Sequence, residues 1–265
     1  MKLDFVKLSP TQNMTLLVTS PVPRAQHCAV AGKLMAYDSI HAEQVGFLEN
    51  PTLPGARIRL QMMGGEFCGN ATMSLGAFLA FQDELPEGET AAYPLEVSGT
   101  DGIVNCRIKR VGSAWQGTVS MPSPAKIEET ALPGGIQCPV VYLEGIAHAI
   151  VDAVALTRAQ AEERIAGWCE YTNQEAFGII LRNGNSIEPL VYVRETGSAV
   201  WERGCGSGTA ALGAWETRLS GTDVSMDVQQ PGGVIRVNTA YNGDRLEITI
   251  TGTVKIAAAG QAWID

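Results

Sequence analysis

One eleven-residue pattern occurs twice in this chain: CGNATMSLGAF from Cys68 to Phe78, and CGSGTAALGAW from Cys205 to Trp215, 137 positions later. Six of the eleven residues (Cys, Gly, Thr, Leu, Gly, Ala) recur at identical offsets. The offset is about half of the 265-residue length, which points to two similar halves. A chain that is 45% apolar has enough material for a core in each. In both copies the residues after the cysteine are apolar nearly all round, so each copy predicts a helix buried on every side, over 71–81 and 209–219. Pro86 marks the region where the first must have ended.

The rest of the patterning is mostly that of sheet. Alternating or short apolar runs predict strands at 2–8, 14–18, 56–61, 95–97, 103–108 and 115–120. In the second half they fall at 139–143, 149–154, 177–181, 190–194, 234–237 and 246–250, with one more in the tail at 253–257. Asn242, Gly243 and Asp244 predict the turn that joins the pair at 234–237 and 246–250. A further amphipathic helix is predicted over 39–48, and an exposed one over 157–167 with Thr157 as its N-cap. Pro122, Pro124 and Pro133 interrupt any helix or central strand over 121–135, making that stretch the junction between halves. The resulting expectation is an α+β protein: an N-terminal half, 1–122, carrying Cys68, and a C-terminal half, 123–253, carrying Cys205. The last strand, 254–265, is free to return to the first half.

A formal charge of −9 and the lack of a long basic run exclude a nucleic-acid surface and favour a small solute as partner. The N-terminus lacks the apolar core of a secretion signal, and no run approaches the ~18 apolar residues that span a bilayer. A cytoplasmic protein with no membrane partner is expected. Its six cysteines are then free thiols, most of them in the core. None is spaced as C-x₂-C, and His27, His41 and His148 are scattered, so no metal site is expected and the histidines default to structural roles.

Cys68 and Cys205 differ from the other four by preceding a buried helix. There, unpaired N–H groups and the positive end of the helix dipole converge, which is expected to depress the thiol pKa toward the ~3.5–7.5 range of activated cysteines. The same helix ends accept anions, and Gly69-Asn70 and Gly206-Ser207 leave the backbone open to a carboxylate. Two weak acid–base groups on opposite sides of one carbon are what inversion of a stereocentre needs: one thiolate removes the α-proton and the other thiol returns a proton to the opposite face. Charge spreading into the carboxylate is stabilised by the helix ends, so no organic cofactor is required. The residues alone thus point to a racemase or epimerase, or else to a non-catalytic protein that captures a carboxylate. Asn70 against Ser207 would make the two faces unequal.

These motifs resemble the diaminopimelate epimerase-like superfamily, which carries a CGN-type motif in its first half and a CGTG-type motif in its second. The resemblance implies two pseudo-symmetric domains, each a mostly antiparallel sheet wrapped around a central buried helix. It also implies a pyridoxal-independent two-thiol mechanism in an interdomain cleft, and a homodimer. Gln12-Asn13-Met14-Thr15 stands where the epimerases contact substrate, and Glu202-Arg203-Gly204 resembles their E-R-G, although it runs straight into Cys205. Ile146 of Gly145-Ile146-Ala147-His148 replaces an asparagine of the epimerases. Ala42-Glu43-Gln44-Val45-Gly46-Phe47 and Cys68-Gly69-Asn70-Ala71-Thr72 are also similar to the phenazine-biosynthesis isomerases, which do not keep the second cysteine. Taken together, SPTQNMT, HAEQVGFLE, GGEFCGNAT and CGSGTAALGA resemble most the histidine racemase branch, which makes D-histidine for opine-type metallophores. By that resemblance Cys68 and Cys205 are the acid–base pair, and Asn13, Glu43, Gly69, Asn70, Asn173, Glu202, Arg203, Gly206 and Ser207 contact the substrate. Each polar side chain among them has an ordinary alternative: a turn or cap for Asn13 and Asn70, a solvated helix face for Glu43, a loop for Asn173, a surface ion pair for Glu202 and Arg203. A diaminopimelate epimerase with a remodelled distal pocket and a phenazine-type isomerase remain the competing enzyme readings.

Overall fold

The computed structural model describes residues 1–195, 197–241 and 245–265. The predicted turn at Asn242, Gly243 and Asp244 lies outside the described residues. The chain divides into two compact units, Met1–Ser120 with Thr251–Asp265, and Met121–Ile250. The elements run β1 (Lys2–Pro10), β2 (Thr15–Val18), α1 (His27–Met35), β3 (Gln44–Glu49), β4 (Ile58–Met62), α2 (Gly69–Gln82), β5 (Thr90–Val97), β6 (Ile103–Val111) and β7 (Ala114–Met121). They continue as β8 (Lys126–Leu132), β9 (Ile136–Leu143), β10 (Ile146–Asp152), α3 (Arg158–Tyr171), β11 (Ala176–Asn183), β12 (Ser186–Val193), β13 (Ser198–Trp201), α4 (Gly206–Ser220), β14 (Ser225–Gln230), β15 (Gly233–Tyr241) and β16 (Leu246–Trp263).

In the first unit the strand order is β1 to β7 and then β16, which pairs back onto β1, so the sheet closes on itself. Closure leaves no open edge among these strands. Only β2–β3 and β4–β5 are parallel among the pairs of known register. Helix α2 lies against β1, β2, β3, β5 and β6 and is the centre of the unit. Met73, Leu75, Ala77 and Ala80 on it are wholly buried. In the second unit the order is β15-β14-β12-β11-β10-β9-β8, with β13 on β12, and α4 packs against β9, β10, β14 and β15.

The repeated residues have the same packing task in both units. A Cβ on Gly76 would stand 2.7 Å from Cys106 Sγ and 2.9 Å from Ile108; one on Gly213 would stand 2.5 Å from Val237 Cγ2. Glycine at this position lets each helix axis approach its sheet more closely than any side chain permits. Thr72 and Thr209 each turn their hydroxyl back to the carbonyl of the motif cysteine, at 2.7 and 2.6 Å. Leu75 with Ala77 and Leu212 with Ala214 fill matching core positions, all at 0% exposure. Five of the six repeated residues therefore build the helix that holds the sixth.

Helix α3 is the predicted exposed helix, beginning at Arg158 directly after its Thr157 cap and running on to Tyr171: Thr157 and Gln160 form a reciprocal capping box, and Ile165, Trp168 and Cys169 join a core with Phe177, Ile179 and Leu190. The helix predicted over 39–48 does not form. Residues 44–49 are the strand β3, parallel to β2 through Thr15↔Gln44 and antiparallel to β4, because Val45 and Phe47 gain full burial in the sheet. The helix of this region is α1, earlier in the chain, with Val30, Ala31 and Leu34 packed against the same sheet. The proline-rich stretch 121–135 holds β8, which pairs with β9 alone and so tolerates its flanking prolines as an edge strand. The expected strands at 246–250 and 253–257 are one continuous strand, β16. No helix among the described residues is long and apolar enough to cross a membrane.

Candidate active site

Each motif cysteine is the N-cap of its helix. Cys68 (φ −132°, ψ 110°) precedes α2 and Cys205 (φ −107°, ψ 110°) precedes α4. In both, Sγ accepts a backbone N–H three residues on, Ala71 to Cys68 and Gly208 to Cys205, each at 3.3 Å. Sulfur thus fills the place usually taken by a serine or aspartate oxygen. Gly69 and Gly206 are the buried first residues of the helices. The four remaining cysteines are also free thiols. Burial pushes Cys106 and Cys138 up to about 12, which leaves them inert, and Cys28 is exposed.

Around Cys68, the thiol donates to Oε1 of Gln44 at 2.7 Å. Gln44 is the first residue of β3, and its neighbour Glu43 lies in the loop before it, half-buried, with its N–H on Met14 O. The alternative of a solvated helix face for Glu43 is thereby removed. Asn13 is fully buried and ends a tight turn between β1 and β2, its N–H on Pro10 O at 2.9 Å. The two central residues of that turn, Thr11 (φ 46°) and Gln12 (φ 62°), hold left-handed conformations that are costly without glycine. Asn70 is 3% exposed in the first turn of α2. The approach to Cys68 is held from β5 and the turn after it: Ser98 accepts Met62 N–H and donates to Glu66 O, and Gly99 is pressed against Phe67 N, where a Cβ would come to 2.3 Å. Glu66 is pushed up from its ordinary value by burial.

Around Cys205 the environment is different. The residue is 2% exposed, and its thiol is pushed well above its ordinary value, first by burial and then by the Glu202 carboxylate beside it. Ser207 and the Gly208 N–H act in the opposite direction without prevailing. The expected depression of this thiol by the helix end is therefore overturned: one N–H and a partial helix charge do not offset full desolvation plus a neighbouring carboxylate. Ser207 Oγ lies 3.5 Å from Cys205 Sγ and 2.9 Å from His148 Nε2. The buried amide of Gln230 ties the base of the site together, accepting Cys205 N–H and donating to Thr209 Oγ1, both at 2.7 Å. Arg203 is exposed and donates to Pro231 O at 3.1 Å.

Of the sequence-predicted residues, Asn13, Glu43, Gly69 and Asn70 lie in the first unit, with Cys68. Glu202, Arg203, Gly206 and Ser207 flank Cys205 in the second. Asn173 is exposed, with φ 52° and its N–H on Glu170 O, and serves as the left-handed end of α3. Gln44, Gln230 and His148 were missed as neighbours of the thiols. Gln44 lies inside the HAEQVGFLE stretch but is not singled out there, Gln230 carries no motif signal, and His148 meets Ser207 only once α4 packs against β10. Among the described residues no group of three or more His, Cys, Asp or Glu side chains is placed to hold a metal ion.

The profile of the histidine racemase CntK N-terminal domain matches residues 2–263. A histidine racemase of Fusobacterium nucleatum subsp. nucleatum is 30% identical over 275 residues, covering 99% of this chain and 97% of its own. One of Staphylococcus aureus is 30% identical over 277 residues, covering 99% and 98%. Among solved structures, a Bacillus anthracis phenazine biosynthesis protein of the PhzF family superposes with a TM-score of 0.74 at 14% identity, over the whole of both chains. That likeness concerns the fold.

Proposed function

Because the chain belongs to the histidine racemase family, we propose that it interconverts L- and D-histidine by a cofactor-independent reaction in which the thiols of Cys68 and Cys205 are the acid–base pair. That it is an amino-acid racemase, an isomerase, follows from the family. The observation that carries the thiol assignment is the pair of N-cap cysteines, each with a matched helix mouth and with N–H groups directed at sulfur.

In the forward direction one cysteine, as thiolate, takes the α-proton and becomes a thiol. The electron pair left on Cα spreads into the carboxylate, which sits at a helix N-terminus where developing charge is stabilised. The other cysteine, as thiol, gives its proton to the opposite face and becomes a thiolate. Protons balance, and the enzyme is left poised for the reverse reaction. Asn13, Glu43, Asn70, Glu202 and Arg203 are proposed to position the substrate. By the same resemblance the enzyme acts as a homodimer and supplies D-histidine to opine-type metallophore synthesis.

The test is α-deuterium uptake by histidine in heavy water without pyridoxal phosphate. Uptake by histidine, with none by LL-diaminopimelate, is expected; exchange of the latter alone would transfer the assignment to an epimerase. Cys68→Ser and Cys205→Ser should each slow inversion at least about a hundredfold, the usual weight of a positioned acid or base. Full inversion by either variant would refute the two-thiol reading.

A further inference from the structure

We propose that His148 and Ser207 form a one-way chain of hydrogen-bond donors that ends on Cys205 and holds its sulfur in the thiolate state when it acts as base. His148 is fully buried on β10, directly opposite Gly178 of the parallel strand β11. The missing Cβ of Gly178 makes room for the ring, since an added one would lie 2.1 Å from Nδ1. The ring is thereby aimed along one direction, with Nε2 at Ser207 Oγ.

The direction of the chain follows from what the other ring nitrogen lacks. Nδ1 of His148 is buried and has no hydrogen-bond partner. A neutral imidazole carries one proton, and a buried N–H without an acceptor is rarer and costlier than a buried bare acceptor. The proton therefore belongs on Nε2, where it is donated to Ser207 Oγ. Burial keeps the ring neutral, lowering His148 to about 3, so it offers this single proton over the working range of pH. With its oxygen already accepting from His148, Ser207 directs its own O–H to the neighbouring sulfur at 3.5 Å.

Cys205 needs such a donor. Burial and Glu202 oppose its thiolate, and the groups facing it that favour the charge are the Ser207 hydroxyl and the Gly208 N–H. In the first unit the Cys68 thiol donates to Gln44 Oε1, whereas Cys205 has the Glu202 carboxylate as an acceptor and the Ser207 hydroxyl as a donor beside it. The first motif copy carries Asn70 at the position of Ser207. Ser207 thus works as a positioning residue for sulfur in place of the substrate contact expected from the motif.

This inference deepens the two-thiol reading and rests on Cys205 being one of its two acid–base groups. The experiment has one arm without substrate. Alkylation of Cys205 by iodoacetamide, resolved by peptide mass spectrometry across pH, should shift its midpoint upward by about one pH unit in Ser207→Ala, the weight of a hydrogen bond to a charged group. Ser207→Thr, which keeps the hydroxyl, should restore the wild-type midpoint. His148→Phe should give a smaller shift of the same sign, and adding it to Ser207→Ala should change nothing further, because it acts through Ser207.

In the second arm, primary isotope effects on kcat/KM are measured with α-deuterated L- and D-histidine. Ser207→Ala should raise the effect for the enantiomer deprotonated by Cys205 and lower it for the other. An unchanged alkylation midpoint in Ser207→Ala overturns the donor chain, as do isotope effects that stay equal for both enantiomers. If the midpoint shifts but the wild-type enzyme exchanges no histidine α-proton, the donor chain stands and the histidine assignment falls. Should His148→Phe fail to fold, the Ser207→Ala and Ser207→Thr pair decides the matter alone.

Discussion

At the scale of single residues, the two thiols are alike in backbone and unlike in company. Both cap a helix with the same φ/ψ region and the same N–H contact, yet Cys68 meets an amide oxygen and Cys205 meets a hydroxyl and a carboxylate. Gln44 is therefore expected to matter although the sequence singled out its neighbour Glu43 instead. Gln44→Leu removes the acceptor for the Cys68 thiol and should lower kcat/KM about tenfold, the weight of one such hydrogen bond, while unfolding stability changes little. An unaltered rate would show the contact to be idle. The repeated pattern marks both cysteines as the starts of buried helices, because a cysteine before an apolar run is a local signal. It misjudged the Cys205 thiol because desolvation depends on strands far away in the chain, and on Glu202, whose direction only the fold decides.

At the scale of elements, a buried helix threaded close to its sheet explains why the pattern recurs beyond its cysteine. Gly76→Ala and Gly213→Ala should each destabilise the protein by about 1–3 kcal/mol, the usual cost of overpacking, because the added methyl meets Cys106 and Ile108 in one case and Val237 in the other. Denaturant unfolding measures this. Thr157→Ala at the exposed cap of α3 is the comparison, with a loss of about 1 kcal/mol and no effect on either motif helix. The buried helices α2 and α4 and most strands were readable from hydrophobic patterning. The failure at 39–48 has a physical cause: a short run such as Gln44-Val45-Gly46-Phe47-Leu48 fits helix and strand periodicities alike. Pairing with Thr15–Val18 decides between them, and no local signal reports that pairing.

For the molecule as a whole, stability against acid reports on its buried polar groups. His148 is lowered from 6.5 to about 3, so between those values the unfolded chain binds a proton that the folded one refuses. Its contribution to stability is intact above about 6.5 and is lost as pH falls toward 3, at about 1.4 kcal/mol per pH unit. Glu96 adds to the loss as pH falls below its ordinary value of 4.5. Burial alone would raise it, but the Leu53 N–H, Thr52 and Arg59 hold it down at about 2. Urea unfolding between pH 6.5 and 5 should therefore lose stability by about one proton's slope. Glu66, raised by burial, acts with the opposite sign, so the difference between wild type and His148→Phe isolates the histidine: a slope that is the same in both would mean that His148 is charged in the folded state.

Strand β16 carries a consequence for how the chain is made. Its residues from Thr251 onward complete the first unit by pairing with β1, from Pro10↔Val254 to Lys2↔Trp263, so β1 waits for residues that are synthesised after the second unit. All of the second unit has been translated by then. The ribosome thus delivers the second unit whole before the first has its final strand, and joining the two ends is a long-range event that pays its loop-closure entropy late. The first unit is begun before the second and finished after it.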